Sequence, residues 1–402
     1  MSRHDTTGPP RARPRGRYTL RRVECVLRAG EPQGRPPWAD WSHMQHMADH
    51  YRTVVVGAGP AGVMAAAEAA RTGDVLLVDA SELPRDKSCG GMLNRYAQEF
   101  LAPFGAVPDD IVLEPSHVNF RYVDWDRCID RATELRFLNI DRAGFDAWLL
   151  SCLPDHVHVA AATRLTALAQ DADTVTATFE NGGVREVRCD ALVGADGARS
   201  RVRRELGITA TSTYVTLQDF VTLRGGLPPY FDCIYLRGVG DSFAYAYVVP
   251  KGDTAIIGSV FYPKTKHPHT IHEEVCAVLR AALPQLGETV KREAAAALSV
   301  RSPGDVVCGS GRVLLAGEAG GFMSPTSGEG ISYAMNTGML AGRAVAETGG
   351  TGALAAYSAS AARVGRNITR KLKWLPFMES RAGKYLAGFV PAPVVSKVTL
   401  GL

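Results

Sequence analysis

The sequence predicts an α/β fold in which one parallel-sheet domain is split by an inserted antiparallel sheet. Three observations lead there. Short aliphatic runs suited to buried parallel strands stand near both ends of the chain's body, at residues 53–57, 75–79 and 312–316. An alanine-rich helical pattern at 63–71 joins the first two into a βαβ beginning. Between the outer runs, residues 215–262 alternate apolar and polar, most clearly at 243–249 and 254–261, and read as antiparallel strands.

The intervening elements follow in order. Gly73 closes the first helix, and an amphipathic segment at 134–150 carries Asp141, Arg142, Phe145, Asp146 and Trp148. Strands are expected at 157–159, 174–179 and 191–194, the last closed by Ala195, Asp196 and Gly197. A helix is expected over 271–283, and a glycine-rich turn after 316 leads into another near 330–347. These elements predict a nucleotide-type domain from 51–205 and 305–347. A substrate domain would occupy 206–304 and a helical segment 348–402.

Composition narrows the function classes. Residues 1–50 hold nine arginines and five acids, so the remaining 36 basic and 36 acidic residues balance, which argues against nucleic-acid binding by the folded body. The Arg- and Pro-rich tail of 1–50 reads as disordered, or as a start assigned upstream of Met44 or Met47. No apolar run is long enough to span a bilayer. Eight scattered cysteines without a CxxC pair or secretory signal predict a reducing, cytoplasmic setting with no disulfide framework and no zinc site. His267, His269 and His272 are broken by Pro268 and read as a solvated loop, not a metal cluster. Residues 365–377 mix basic and apolar side chains, the pattern of a packing helix or of a peripheral contact with lipid headgroups, interrupted at Pro376.

Three glycine motifs carry the chemistry. Gly57, Gly59 and Gly62 form GxGxxG between a strand and a helix. The first permits the tight turn, the second the close approach of a pyrophosphate, the third the packing of helix on strand; Ala61 lies within this turn. Asp79, about 20 residues on, can accept ribose hydroxyls, the pattern of a dinucleotide site. The second motif is Gly194, Ala195, Asp196, Gly197, followed by Arg199, Ser200, Arg201 and Arg203. The third runs from Gly317 and Glu318 to Ser324, Pro325, Gly328, Glu329, Gly330 and Ile331. A helix starting after Gly328 would offer its positive end to an anionic group, and Glu318 at a strand end can accept from a hydroxyl.

Together these motifs, over residues 51–347, resemble the FAD-dependent oxidoreductases of the hydroxylase and geranylgeranyl-reductase group, with Glu318 where that group has Asp. The resemblance implies a split Rossmann-like FAD-binding domain. Lys87, Cys89, Gly90 and Gly91 are similar to the K-x-C-G-G segment of the geranylgeranyl reductase-like branch. Residues 245–252, with Tyr245, Tyr247, Pro250 and Lys251, resemble its Y-x-W-x-F-P-K-G segment, with Tyr for Trp and Val for Phe. Asp141, Arg142, Phe145 and Asp146 resemble its D-R-x-x-F-D helix, whose arginine would face the flavin.

The expected reaction is reduction of a carbon–carbon double bond in an apolar, isoprenoid or polyene-like substrate. Cys89 is the candidate proton donor, and Tyr245 and Tyr247, on one strand face, are candidate cavity walls. A monooxygenase or related tailoring reaction stays open, because fold alone does not separate the two. A non-catalytic flavin-binding sensor is the third reading. The halogenase pattern W-x-W-x-I-P keeps its spacing here but loses both tryptophans. No second GxGxxG follows a strand, so electrons would come from NAD(P)H in transient contact or from a separate reductase. Nothing in the sequence bears on oligomeric state.

Overall fold

The computed structural model describes residues 47–209, 212–236, 243–391 and 393–395. The expected tail lies outside these residues as far as position 46. From Met47 onward the chain is packed: Met47 is buried, and its carbonyl accepts from Arg185.

Strand β1 (His50–Val56) runs into helix α1 (Pro60–Ala69), with Pro60 in the first turn, where a missing N–H costs nothing. Strand β2 (Val75–Val78) returns parallel to β1. Next come the short β3 (Met92–Leu93) and α2 (Arg95–Leu101), capped by the Asn94 side chain. A long hairpin follows, β4 (Val112–Asp124) and β5 (Ile129–Ile140). The expected amphipathic stretch at 134–150 is therefore half strand: Leu135, Phe137 and Asn139 alternate inward, and the helical period begins only with α3 (Arg142–Ser151). Asp141 marks the switch by capping α3 through the Gly144 N–H.

Strands β6 (Val157–Ala160), β7 (Arg164–Gln170), β8 (Val175–Glu180) and β9 (Val184–Gly194) lead to the short α4 (Arg201–Glu205). The second sheet then takes β10 (Thr213–Leu223), β11 (Tyr230–Ile234), β12 (Phe243–Lys251) and β13 (Thr254–Phe261). Helix α5 (Pro268–Ala282) and β14 (Leu286–Leu298) complete it. Strands β15 (Gly309–Ser310) and β16 (Val313–Leu315) rejoin the first sheet, followed by α6 (Ile331–Thr348), α7 (Ala353–Leu372), α8 (Leu375–Glu379) and α9 (Arg381–Ala387).

The first sheet has the order β15-β16-β9-β1-β2-β6, parallel from β16 to β6, with β7 and β8 joined to β9 as an antiparallel meander. The second has the order β14-β10-β13-β12-β11-β4-β5-β3, antiparallel except where β11 lies parallel to β4. It draws strands from 92–140 as well as from 213–298, so the chain crosses between the sheets more often than a single insertion requires. One face of this sheet packs Ala246, Val248 and Ile257 against Val275 and Leu279 of α5. The other, with Tyr247, Val249 and Val260, looks toward the first sheet.

Pro376 does not merely end the basic segment; it opens α8 from the first turn. His272 is buried, with Nδ1 2.8 Å from Ser259 Oγ and Nε2 3.1 Å from Asp219, whereas His267 and His269 are exposed. The expected loop is thus mostly helix, and only its inward histidine is built into the core.

Candidate active site

A cavity of about 1330 Å³ lies between the two sheets, and all three glycine motifs reach it, through Gly59 and Ala61, Gly197, and Gly317 with Gly328 and Gly330. Gly57 and Gly62 act behind its wall. Gly57 has φ +104°, and a Cβ there would stand 2.4 Å from the Ala195 carbonyl oxygen. A Cβ on Gly62 would stand 1.7 Å from the Gly57 carbonyl oxygen. These two glycines let the first turn close onto β9 and α1.

Helix α1 begins at Gly59 without a side-chain cap, so its first amides face the turn. Arg85, not singled out in the sequence, lies across this turn, with Nη2 2.5 Å from where a Gly59 Cβ would be. Its Nε is buried and makes no hydrogen bond. Amides and guanidinium together form a cradle that suits a pyrophosphate. Asp79, at the end of β2, accepts from the Ala58 and Ser81 amides at 2.8 and 2.9 Å.

The Asp196 carboxylate lies at the start of α4, which Ser200 caps, and accepts from Ser200 Oγ at 2.5 Å and from the Arg201 and Val202 amides at 2.6 and 3.1 Å. Burial pushes its carboxyl upward against those hydrogen bonds. Arg203 of α4 ties the second motif to the third by donating to the Ala319 carbonyl at 3.1 Å. Gly317 has φ +58°, and its N–H donates to Thr337 Oγ1 at 2.9 Å. The Glu318 carboxylate accepts from the Leu298 amide at 3.2 Å and lies 3.7 Å from Lys87 Nζ. The extra methylene thus carries it toward the second sheet. Helix α6 starts at Gly330, and Ile331 is its first residue. The Ser332 amide is satisfied by Glu329 at 2.8 Å.

Cys89, Gly90 and Gly91 form the cavity wall where the sheets meet. Burial alone would raise the Cys89 thiol. The Arg142 guanidinium, the Gly91 N–H at 3.4 Å and Lys87 outweigh burial and hold it below the ordinary thiol value. Arg142 is itself buried and paired with Asp146 at 2.8 Å, one helical turn on. Asp146 lies 3.7 Å from Arg85, which lies 3.4 Å from Asp79. Groups of alternating sign therefore run from the first glycine turn to the thiol, an arrangement stabilised by ionisation of Cys89.

Two further residues matter here: Lys251, placed by the sequence only within the 245–252 resemblance, and Gln218, not singled out there. Lys251, buried behind the cysteine turn, donates to the Gly91 carbonyl at 2.7 Å, Asn139 Oδ1 at 2.6 Å and the Ile140 carbonyl at 3.3 Å. Burial pulls its ammonium down to about 7. Gln218 accepts from Ser88 Oγ at 2.6 Å and donates to the Tyr247 hydroxyl. The signal available for it was a polar residue at an inward position of an alternating strand. Tyr247 is buried, its ring lying against Gly258 and 5.1 Å from the Phe231 centroid. Tyr245 lies on β12, but its side chain falls outside the described residues. Of the two tyrosines expected on one face, Tyr247 lines the cavity.

The convergence of three glycine turns on one cavity fits an extended dinucleotide, and the comparisons decide which. An FAD-binding domain family matches residues 152–371. The chain is also 30% identical over 296 residues to protein CbrA of Escherichia coli strain K12, covering 72% of this chain and 82% of CbrA. This chain belongs to the FAD-binding family. Solved structures share its fold. A geranylgeranyl bacteriochlorophyll reductase-like protein from Thermoplasma acidophilum superimposes with TM-score 0.66 at 18% identity, over 87% of this chain and 90% of that one. The flavin-dependent brominase Bmp2 gives 0.69 at 18% identity, covering 87% and 92%. The flavin-dependent monooxygenase PieE, solved with FAD and substrate, gives 0.65 at 17% identity, covering 87% and 72%. The protein is thus an FAD-dependent oxidoreductase by family, with the mixed α/β fold expected from its sequence. Among the described residues, no helix is long and apolar enough to cross a membrane.

Proposed function

We propose that this FAD-dependent oxidoreductase reduces a carbon–carbon double bond of an apolar, isoprenoid- or polyene-like substrate, with Cys89 supplying the proton. The observation that carries this reading is the position of the Cys89 thiol. It stands on a glycine turn between the FAD cradle and an aromatic wall, with its pKa drawn down by Arg142. A proton donor works best when its pKa lies near the working pH, and lowering an ordinary thiol moves it that way.

The residues that would hold the cofactor are the turns at Gly57–Gly62 and Gly317–Gly330, with Arg85 at the pyrophosphate, Asp79 at the ribose and the start of α6 at the ring. FAD, when bound, supplies the hydride. The chain does the rest. Phe120, Phe137, Phe231, Tyr247 and Val260 line the cavity with apolar surface that holds the substrate and excludes water. Arg142 and the Gly91 N–H hold the thiol at one place, and Lys251 fixes the turn beneath it. Ser88 and Gln218 orient the Tyr247 hydroxyl at the same wall. Electrons would reach the site from NAD(P)H or from a separate reductase.

The test is anaerobic reduction of the flavin-loaded protein, followed by mixing with a prenyl alkene or with oxygen. Reoxidation by the alkene without oxygen, yielding saturated product, is the expected result. Cys89→Ala should slow that step roughly 10²-fold while leaving flavin content unchanged. Reoxidation that needs oxygen and yields a hydroxylated product would replace this reading with the monooxygenase one.

A further inference from the structure

We propose that the C-terminal helices dock on an anionic phospholipid surface, presenting the cavity to it. Among the described residues, six of the eleven exposed large apolar side chains fall within one short stretch: Trp374, Phe377, Tyr385, Leu386, Phe389 and Val394. Trp374 is 60% exposed and Phe389 54%. Isolated exposed apolar residues are ordinary, but a cluster of aromatics is an interaction surface. Trp374, Phe377 and Val394 also line the cavity, so this patch stands where the cavity meets solvent.

Charge identifies the occupant. Residues 363–390 contain seven basic residues and one acid, in a body from residue 51 onward whose 36 basic and 36 acidic residues balance as a whole. Arg363, Arg366, Arg370 and Lys373 are exposed at spacings of three, four and three, one face of α7 and its C-terminal cap. A second copy would bring the same cationic face and repel it. An anionic bilayer complements both features, taking aromatic rings at headgroup depth and attracting the basic face over them. The two short helices α8 and α9, joined at Ser380, supply the apolar face without any spanning segment. The surface is argued from exposure and charge alone, so it does not rest on the reading above.

The flavin-loaded full chain, floated with vesicles, tests it. Vesicles of phosphatidylcholine containing phosphatidylglycerol should bind at least about tenfold more tightly than phosphatidylcholine alone, and rising salt should release the protein. Leu386→Ser with Phe389→Ser, at positions outside the cavity wall, should weaken binding by about tenfold or more, with flavin absorbance and melting temperature retained. Arg366→Glu with Lys373→Glu, both fully on the surface, should abolish the preference for anionic vesicles. The proposal is overturned if the unaltered protein ignores both vesicles or if both double variants bind as it does. It is equally overturned if the protein is a dimer that the Leu386/Phe389 variant dissolves, which would assign the face to a second copy.

Discussion

At the residue scale, the thiol of Cys89 is set by a competition. Burial favours the neutral form, whereas a buried guanidinium, a backbone N–H and a lysine favour the thiolate, and the second group prevails. The sign gives a pH test. Because only the thiolate is alkylated, the rate of Cys89 alkylation should rise with pH through a midpoint below that of an ordinary thiol and then level off. Arg142→Gln removes the largest charge favouring the thiolate, so the midpoint should move upward. An unmoved midpoint would show that the guanidinium is not the cause. The K-x-C-G-G pattern itself contains Lys87 and Gly91, but it says nothing of Arg142, which the fold brings against the cysteine from α3.

Between elements, the proposed flavin cradle depends on how closely two helices approach. Gly338 and Gly342, one turn apart on α6, rest on the backbone of α1: Cβ atoms there would lie 2.1 Å from the Ala61 carbonyl oxygen and 2.4 Å from that of Ala65. The two helix starts that would hold the pyrophosphate and the flavin ring are spaced by this contact. Gly338→Ala should push them apart, an overpacking cost of roughly 1–3 kcal/mol. Titration of the flavin-free variant with FAD should then show about tenfold weaker binding, with a lower melting temperature. The alanine-rich α1 was legible in the sequence, but its partner was not. Small residues on two helices announce tolerance of close packing without naming who packs.

For the whole molecule, stability in acid should report a buried cluster between the second sheet and α5. Asp219 on β10 would be raised by burial, but hydrogen bonds from His272, from Arg292 at 2.7 and 3.0 Å and from Thr289 at 2.7 Å hold it well below the carboxylate range. Cys276, beside it on α5, is pushed up to about 12 and stays protonated. A depressed carboxylate contributes its stability fully above the unfolded aspartate value, ~3.9, and loses it as pH falls toward the folded one. Asp219→Ala should therefore cost roughly 3–5 kcal/mol at neutral pH in urea unfolding. The difference from the unaltered protein should shrink as pH falls below that value.

The same contrast runs through the molecule. Local order was readable from the sequence alone: the βαβ beginning, the glycine turns, the return to a buried strand at Val313–Leu315 and α6 after Gly330. Such features follow from period, branching and φ requirements that act within a few residues. Only the tertiary structure recruited β4 and β5 into the second sheet, because strand pairing is non-local and the helical residues of α3 blurred the end of β5. It also placed Arg85 over Gly59, Lys251 beneath Gly91 and Gln218 beside Tyr247, pairs separated by 26, 160 and 29 positions. A side chain's chemistry belongs to the sequence, but the charges and walls around it are set by distance in space, which the order of residues does not encode directly.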